Sequence, residues 1–168
     1  MKREQKSLTN KGFSLVELII VVAIMAVLIG VLAPQYLRYV EKTKLQKDNS
    51  AIAEVANVIK IAGAEEEVVA ELKSGAIEYT FKDSGIERGG TALSDTVDAS
   101  TKPLDKEIIM TIKPSDVKLT STAYTTAADK PILTVEIDPN TSIISVTATH
   151  WIEKPGAKPT TDADPKKF

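Results

Sequence analysis

Few residues in this chain have the type and spacing for chemistry. Glu17 is the only ionisable side chain in the run FSLVELIIVVAIMAVLIGVLA, Phe13 to Ala33. A carboxylate near the middle of an apolar helix in a bilayer costs roughly 2.5–3.5 kcal/mol, and somewhat less near an end, so Glu17 calls for a partner. Just before it, Lys11-Gly12-Phe13 steps from basic to apolar sequence through one small residue. His150 is the sole histidine and falls in a strand-like run beside Trp151, which suits a structural histidine better than a catalytic base. Glu65, Glu66 and Glu67 read as a solvated helix start rather than a metal site. Asp162 and Asp164, in a proline-rich stretch, fall short of the roughly six to eight oxygens that calcium takes. With no cysteine there is no thiolate nucleophile, Cys-type zinc site or disulfide framework. No GxGxxG, P-loop or HExxH string occurs, and Gly89-Gly90 reads only as a turn. The expectation is no enzyme, no cofactor and no metal.

The element that positions Glu17 is an apolar helix. At about 1.5 Å per residue the run makes a rod of roughly 30 Å, enough to cross a bilayer. The leader before Gly12 carries Lys2, Arg3, Lys6 and Lys11 against Glu4, which places it on the cytoplasmic side and the rest of the chain outside. Of the formal charge of −2 at pH 7, the leader holds +3 and the remainder −5, which argues against a nucleic-acid surface. A cleaved secretory signal is a poor fit: the apolar run is long, and the small-residue exit at Val31-Leu32-Ala33 is followed by Pro34, a poor extended protease substrate. A plain signal-anchor would explain neither Glu17 nor the step at Gly12. The apolar residues cover every face of the helix, as for a rod surrounded by lipid or by other helices. Four residues separate Gly30 from Pro34, so proline removes the hydrogen bond that the Gly30 carbonyl would accept and marks a helix break, whether a kink, a melted turn or a bend at the membrane exit.

Beyond Pro34 the sequence turns polar. Ile52, Val55, Ile59 and Ala62 recur at helical spacing and predict an amphipathic helix whose one face packs on a globular head. Glu65 to Glu67 predict a short second helix ending at Ser74-Gly75. Strands are predicted at 77–81, 107–112, 116–121, 132–137 and 142–152. In the last two, Leu133, Val135 and Ile137 share one face, as do Ile144, Val146, Ala148 and Ile152, and Asp138-Pro139-Asn140-Thr141 supplies the turn. Residues 83–106 read as a connecting loop and 153–168 as a flexible tail. The organisation expected is therefore a basic leader (1–12), an apolar helix (13–36), a head of amphipathic helix plus antiparallel sheet (37–152) and a tail (153–168). The fold class is α+β.

The string Lys11-Gly12-Phe13-Ser14-Leu15-Val16-Glu17-Leu18, between a basic leader and an apolar helix containing Pro34, resembles the prepilin signature of type IV pilins and related pseudopilins. The resemblance covers about residues 6–40 and leaves the head to architecture alone. It implies cleavage after Gly12 by a membrane-embedded aspartyl prepilin peptidase and N-methylation of the new amine on Phe13. Glu17 becomes the fifth residue of the mature chain and Pro34 the twenty-second, where the family has a glutamate and a proline.

That resemblance implies a partner for Glu17, the Phe13 amine of an identical subunit packed alongside with an axial offset. Breaking such a pair when buried costs roughly 3–5 kcal/mol, so it can set subunit register. The alternative is that Glu17 snorkels to the inner headgroups. The function implied is a structural pilus subunit, held in the cytoplasmic membrane as a single-pass protein and then polymerised into an extracellular filament for adhesion, surface motility or aggregation. The alternatives are a pseudopilin of a secretion or DNA-uptake machine and a membrane-anchored domain that never polymerises. Partners would be further copies of the chain, the prepilin peptidase and a pilus assembly platform. The missing cysteines depart from the many pilins that close their C-terminal region with a disulfide.

Overall fold

The computed structural model describes residues 13–168. The leader and Gly12 lie outside the described residues. The chain divides into two compact units, one up to Tyr39 and one comprising Val40–Phe168.

Helix α1 runs from Leu15 to Ala62. Up to Tyr39 its side chains are exposed all round, from Leu15 and Ile20 to Leu32 and Leu37. Composition and length suffice for a membrane span. Pro34 lies inside the helix, which continues through it, so no melted turn separates Gly30 from Pro34 in the single chain. A Cβ on Gly30 would meet nothing within 4 Å, so the missing side chain serves no packing within this chain.

The second unit is α+β. In the C-terminal half of α1, Ile52, Val55, Ile59 and Ala62 are buried as their spacing predicts, joined by Leu45, Ala56 and Val58. The short helix expected after the three glutamates is α2 (Glu66–Leu72), which ends before Gly75. A single antiparallel sheet follows, in the order β3-β2-β1-β4-β5-β6, built from β1 (Ile77–Lys82), β2 (Gly85–Arg88), β3 (Thr91–Ala92), β4 (Ile132–Ile137), β5 (Ile144–Thr149) and β6 (Lys166–Lys167). Register puts the large apolar residues on one face: Ile77 pairs with Val135, Tyr79 with Leu133, Phe81 with Ile86, Val135 with Val146 and Leu133 with Ala148. These residues and the buried face of α1 belong to one core.

Four expectations need correction. Residues 107–112 form no strand but most of α3 (Pro103–Thr111). Its β-branched residues look strand-like, yet Pro103 at the first turn pre-sets a helix, and Leu104, Ile108 and Ile109 bury one helical face. Residues 116–121 form no strand either. A 3₁₀ turn (Pro114–Asp116) leads into an extended stretch that buries Val117 and Leu119 and then into α4 (Thr122–Thr125). Its backbone donors at Thr120 and Ser121 bond the Asp48 carboxylate instead of a neighbouring strand.

The stretch 83–106 is more than a loop, because it contains β2, β3 and the start of α3. Gly89 and Gly90, at φ 55° and 83°, turn the chain between β2 and β3 with the pair of positive φ angles that the tight hairpin turn requires. Finally, residues 153–168 return to the sheet: β6 pairs with β5. Phe168 packs edge-on to Trp151 with ring centroids 5.4 Å apart.

Candidate functional site: the N-terminal end of α1

The N-terminal end of α1 carries Phe13, Ser14 and Glu17. Phe13 is 90% exposed. The Ser14 backbone N–H donates to Glu17 Oε2 at 2.9 Å, and the Val16 N–H donates to Ser14 Oγ at 3.4 Å. Serine followed three residues later by glutamate is a capping box, in which each side chain serves a backbone donor that the helix itself leaves unpaired. The carboxylate also lies where the helix dipole favours negative charge. Glu17 is therefore folded back on the start of its own helix. Ser14 is the residue that sequence reasoning missed, although the Ser-x-x-Glu spacing before an apolar run signals it.

Behind this cap, Ala23, Ile24, Val27 and Leu28 line a shallow apolar groove on the helix surface. No polar side chain interrupts the exposed run from Leu18 to Leu32. The Gly30 carbonyl lacks the donor that a residue other than proline at 34 would supply. An apolar surface of this kind on a single helix needs lipid or other helices around it.

The head is tied together by carboxylates. Asp48, only 1% exposed, accepts the Thr120 N–H at 2.9 Å, the Thr120 hydroxyl at 2.9 Å and the Ser121 N–H at 2.8 Å. Two turns earlier on α1, Glu41 accepts the Ala123 N–H at 3.1 Å. Burial alone would raise the Glu41 pKa, but hydrogen bonds from Thr122 and Ala123, aided by Lys44, hold it below the usual glutamate value. Tyr124 donates to Asn49 Oδ1 at 2.7 Å, and its oxygen accepts the Ile152 N–H at 2.9 Å. Burial pushes the Tyr124 phenol up to about 12.

Elsewhere in the head, Arg88 bonds Glu71 at 2.6 Å and Asp105 at 2.9 Å, and Tyr79 also donates to Asp105. Burial, then the Asp105 charge, raises the Tyr79 pKa far above its ordinary value. Each of these groups is committed to another part of the fold.

The remaining candidates are dispersed. His150 lies just past β5 at φ 54°, with Nε2 3.9 Å from Asp129 and Nδ1 without a partner among the described residues. It is outside the strand in which it was expected. Asp162 and Asp164 are exposed, as are Glu65, Glu66 and Glu67. Among the described residues no group of His, Cys, Asp or Glu could hold a metal ion. Thr160 fastens the C-terminal region: its carbonyl accepts the His150 N–H, its N–H donates to the Trp151 carbonyl, and its hydroxyl accepts the Trp151 N–H.

A long apolar N-terminal helix joined to a head with an antiparallel sheet is a pilin-like α+β architecture. Residues 8–33 match the family model of the prokaryotic N-terminal methylation motif. The chain thus carries a type IV prepilin-like signal, which points to a type IV pilin-like or pseudopilin protein and to a structural subunit rather than an enzyme. Such a motif implies a prepilin peptidase substrate and filament assembly, and it agrees with membrane anchoring through the apolar helix. No curated protein and no solved structure matches the chain.

Proposed function

We propose that this chain is the structural subunit of a type IV pilus, cut after Gly12, methylated on Phe13 and polymerised through α1 into an extracellular filament for adhesion, surface motility or aggregation. The observation that carries the reading is the all-round exposed apolar half of α1, with one carboxylate, Glu17, at its start. In the membrane that surface faces lipid; after extraction it faces the same surface on other copies.

Cleavage creates a charged amine at Phe13. Within one chain Glu17 caps its own helix; in the filament its carboxylate pairs with the Phe13 amine of a neighbour. Among the described residues the Glu17 carboxylate accepts the Ser14 N–H and forms no ion pair with a cationic side chain. The Gly30–Pro34 turn, short of one hydrogen bond, is where α1 yields when neighbouring helices press on it. An assembly platform in the membrane would supply the force of extraction.

Mass spectrometry of sheared surface filaments tests this reading. The subunit should begin at methylated Phe13, and Gly12→Leu should leave a membrane-held precursor. A subunit that retains its leader in filaments, or normal-length mature protein from Gly12→Leu, contradicts the reading. Electron microscopy of the same material separates a pilus from the short filament of a pseudopilin.

A further inference from the structure

The turn between β4 and β5 serves neither the core nor α1. Residues 138–143 are all exposed. Asp138 organises the turn: its Oδ1 accepts the Asn140 N–H at 2.8 Å and the Thr141 N–H at 3.3 Å, and its carbonyl accepts the Ser142 N–H at 2.8 Å. Those hydrogen bonds hold the Asp138 carboxyl below the usual aspartate value. The backbone donors are thus used within the turn, while the Asn140 carboxamide and the Ser142 hydroxyl make no hydrogen bond among the described residues.

Asn140-Thr141-Ser142 has the Asn-X-Ser pattern, with X other than proline, that N-glycosylation uses. Asn10, Asn49 and Asn57 lack a serine or threonine two residues on. Asn49 is moreover engaged on both sides of its amide, with the Ile152 carbonyl at 2.9 Å and the Tyr124 hydroxyl at 2.7 Å. A second observation concerns the neighbouring residue: Ile143, whose carbonyl accepts the Asp138 N–H at the base of the turn, is an apolar side chain 66% exposed. A glycan one turn away would cover it.

We infer that Asn140 is the attachment site of an N-linked oligosaccharide. The donor class is a polyprenyl-diphosphate-linked oligosaccharide on the outer side of the membrane, used by a membrane transferase. Nδ2 forms a bond to the anomeric carbon, the bond from that carbon to the diphosphate oxygen breaks, the carboxamide gives up one proton and polyprenyl diphosphate leaves. Asn140 supplies the nucleophile, and Ser142 supplies the hydroxyl that the transferase recognises. This inference rests on the reading that the head is exported.

The test is mass spectrometry of the chain isolated from its native host, reading both the peptide that contains Asn140 and the N-terminus. Wild type should carry an added sugar mass on Asn140. Asn140→Gln and Ser142→Ala should each remove that mass, and Ser142→Thr should keep it, with circular dichroism unchanged in all three. An unmodified Asn140, or a sugar mass that persists in Asn140→Gln or in Ser142→Ala, overturns the inference. If Asn140 is bare while the chain starts at Phe13, the glycan inference fails alone. If the leader is still attached as well, the pilus-subunit reading, which requires cleavage after Gly12, fails with it.

Discussion

The two halves of α1 obey the same backbone rules and bury opposite amounts of surface. Between Ile52 and Ala62 one face is buried among the strands and the other carries Glu54, Asn57 and Lys60 into solvent. Between Phe13 and Leu37 the side chains are exposed on every face, although nearly all are apolar. A one-sided stripe means that the chain supplies its own partner, and an all-round apolar surface means that it does not. The head's stability lies within one chain, whereas the apolar N-terminal half is left uncovered among the described residues.

The largest expected effect is a change of solution state. Removing residues 1 to about 36 should convert a detergent-requiring protein into a soluble monomeric head. Size-exclusion chromatography and circular dichroism check this, and an insoluble or unfolded product would show that the head depends on the apolar half. Next comes a matched pair of truncations. Ile59→Ala should lower the head's stability to urea by about 2–5 kcal/mol, because a fully buried side chain leaves a cavity. Ile24→Ala, on the exposed half, should leave head unfolding unchanged and weaken only assembly.

Smaller effects probe how the head holds its non-strand segment. Asp48→Asn replaces one oxygen with a donor that faces the Thr120 and Ser121 N–H groups, and should cost about 1.5–3 kcal/mol in urea denaturation. The smallest effect is the pH dependence from Glu41. Since its carboxyl is held below the ordinary value in the folded head, its contribution is present above the usual glutamate pKa and is lost as pH falls through the folded one. After solvent screening the contribution should stay below about 1 kcal/mol. Glu41→Gln should flatten that part of the acid limb of the stability curve, and an unaltered limb would remove Glu41 from the account.

Local periodicity made much of this legible. The helical spacing of Ile52, Val55 and Ile59 and the alternation in 132–137 each name an element and its buried face without help from the rest of the chain. The pairing of β4 and β5 followed because the two strands adjoin across a short turn. What stayed hidden depended on distant residues. Residues 116–121 have strand composition, but a carboxylate about 72 positions away in sequence takes the Thr120 and Ser121 N–H groups. The C-terminal segment has little apolar content, yet Thr160 and Phe168 fasten it to β5 and Trp151. At the N-terminal site the spacing of Gly12, Phe13 and Glu17 was plain. The role of Ser14 is equally local, carried by the Ser-x-x-Glu spacing at the start of the apolar run, and needs no second subunit.

On the proposed reading Glu17 has both a cap to make within its chain and a charge to pair outside it. Glu17→Gln separates the two: glutamine can still accept the Ser14 N–H, as capping boxes allow, but carries no charge. Filaments should be counted by electron microscopy in a strain that expresses only Glu17→Gln, with head unfolding measured alongside. If the carboxylate meets the Phe13 amine of a neighbour, filaments should be lost or sharply reduced while the head unfolds as in wild type. Abundant, normally spaced filaments built from Glu17→Gln alone would contradict the pairing and leave Glu17 as the cap of its own helix.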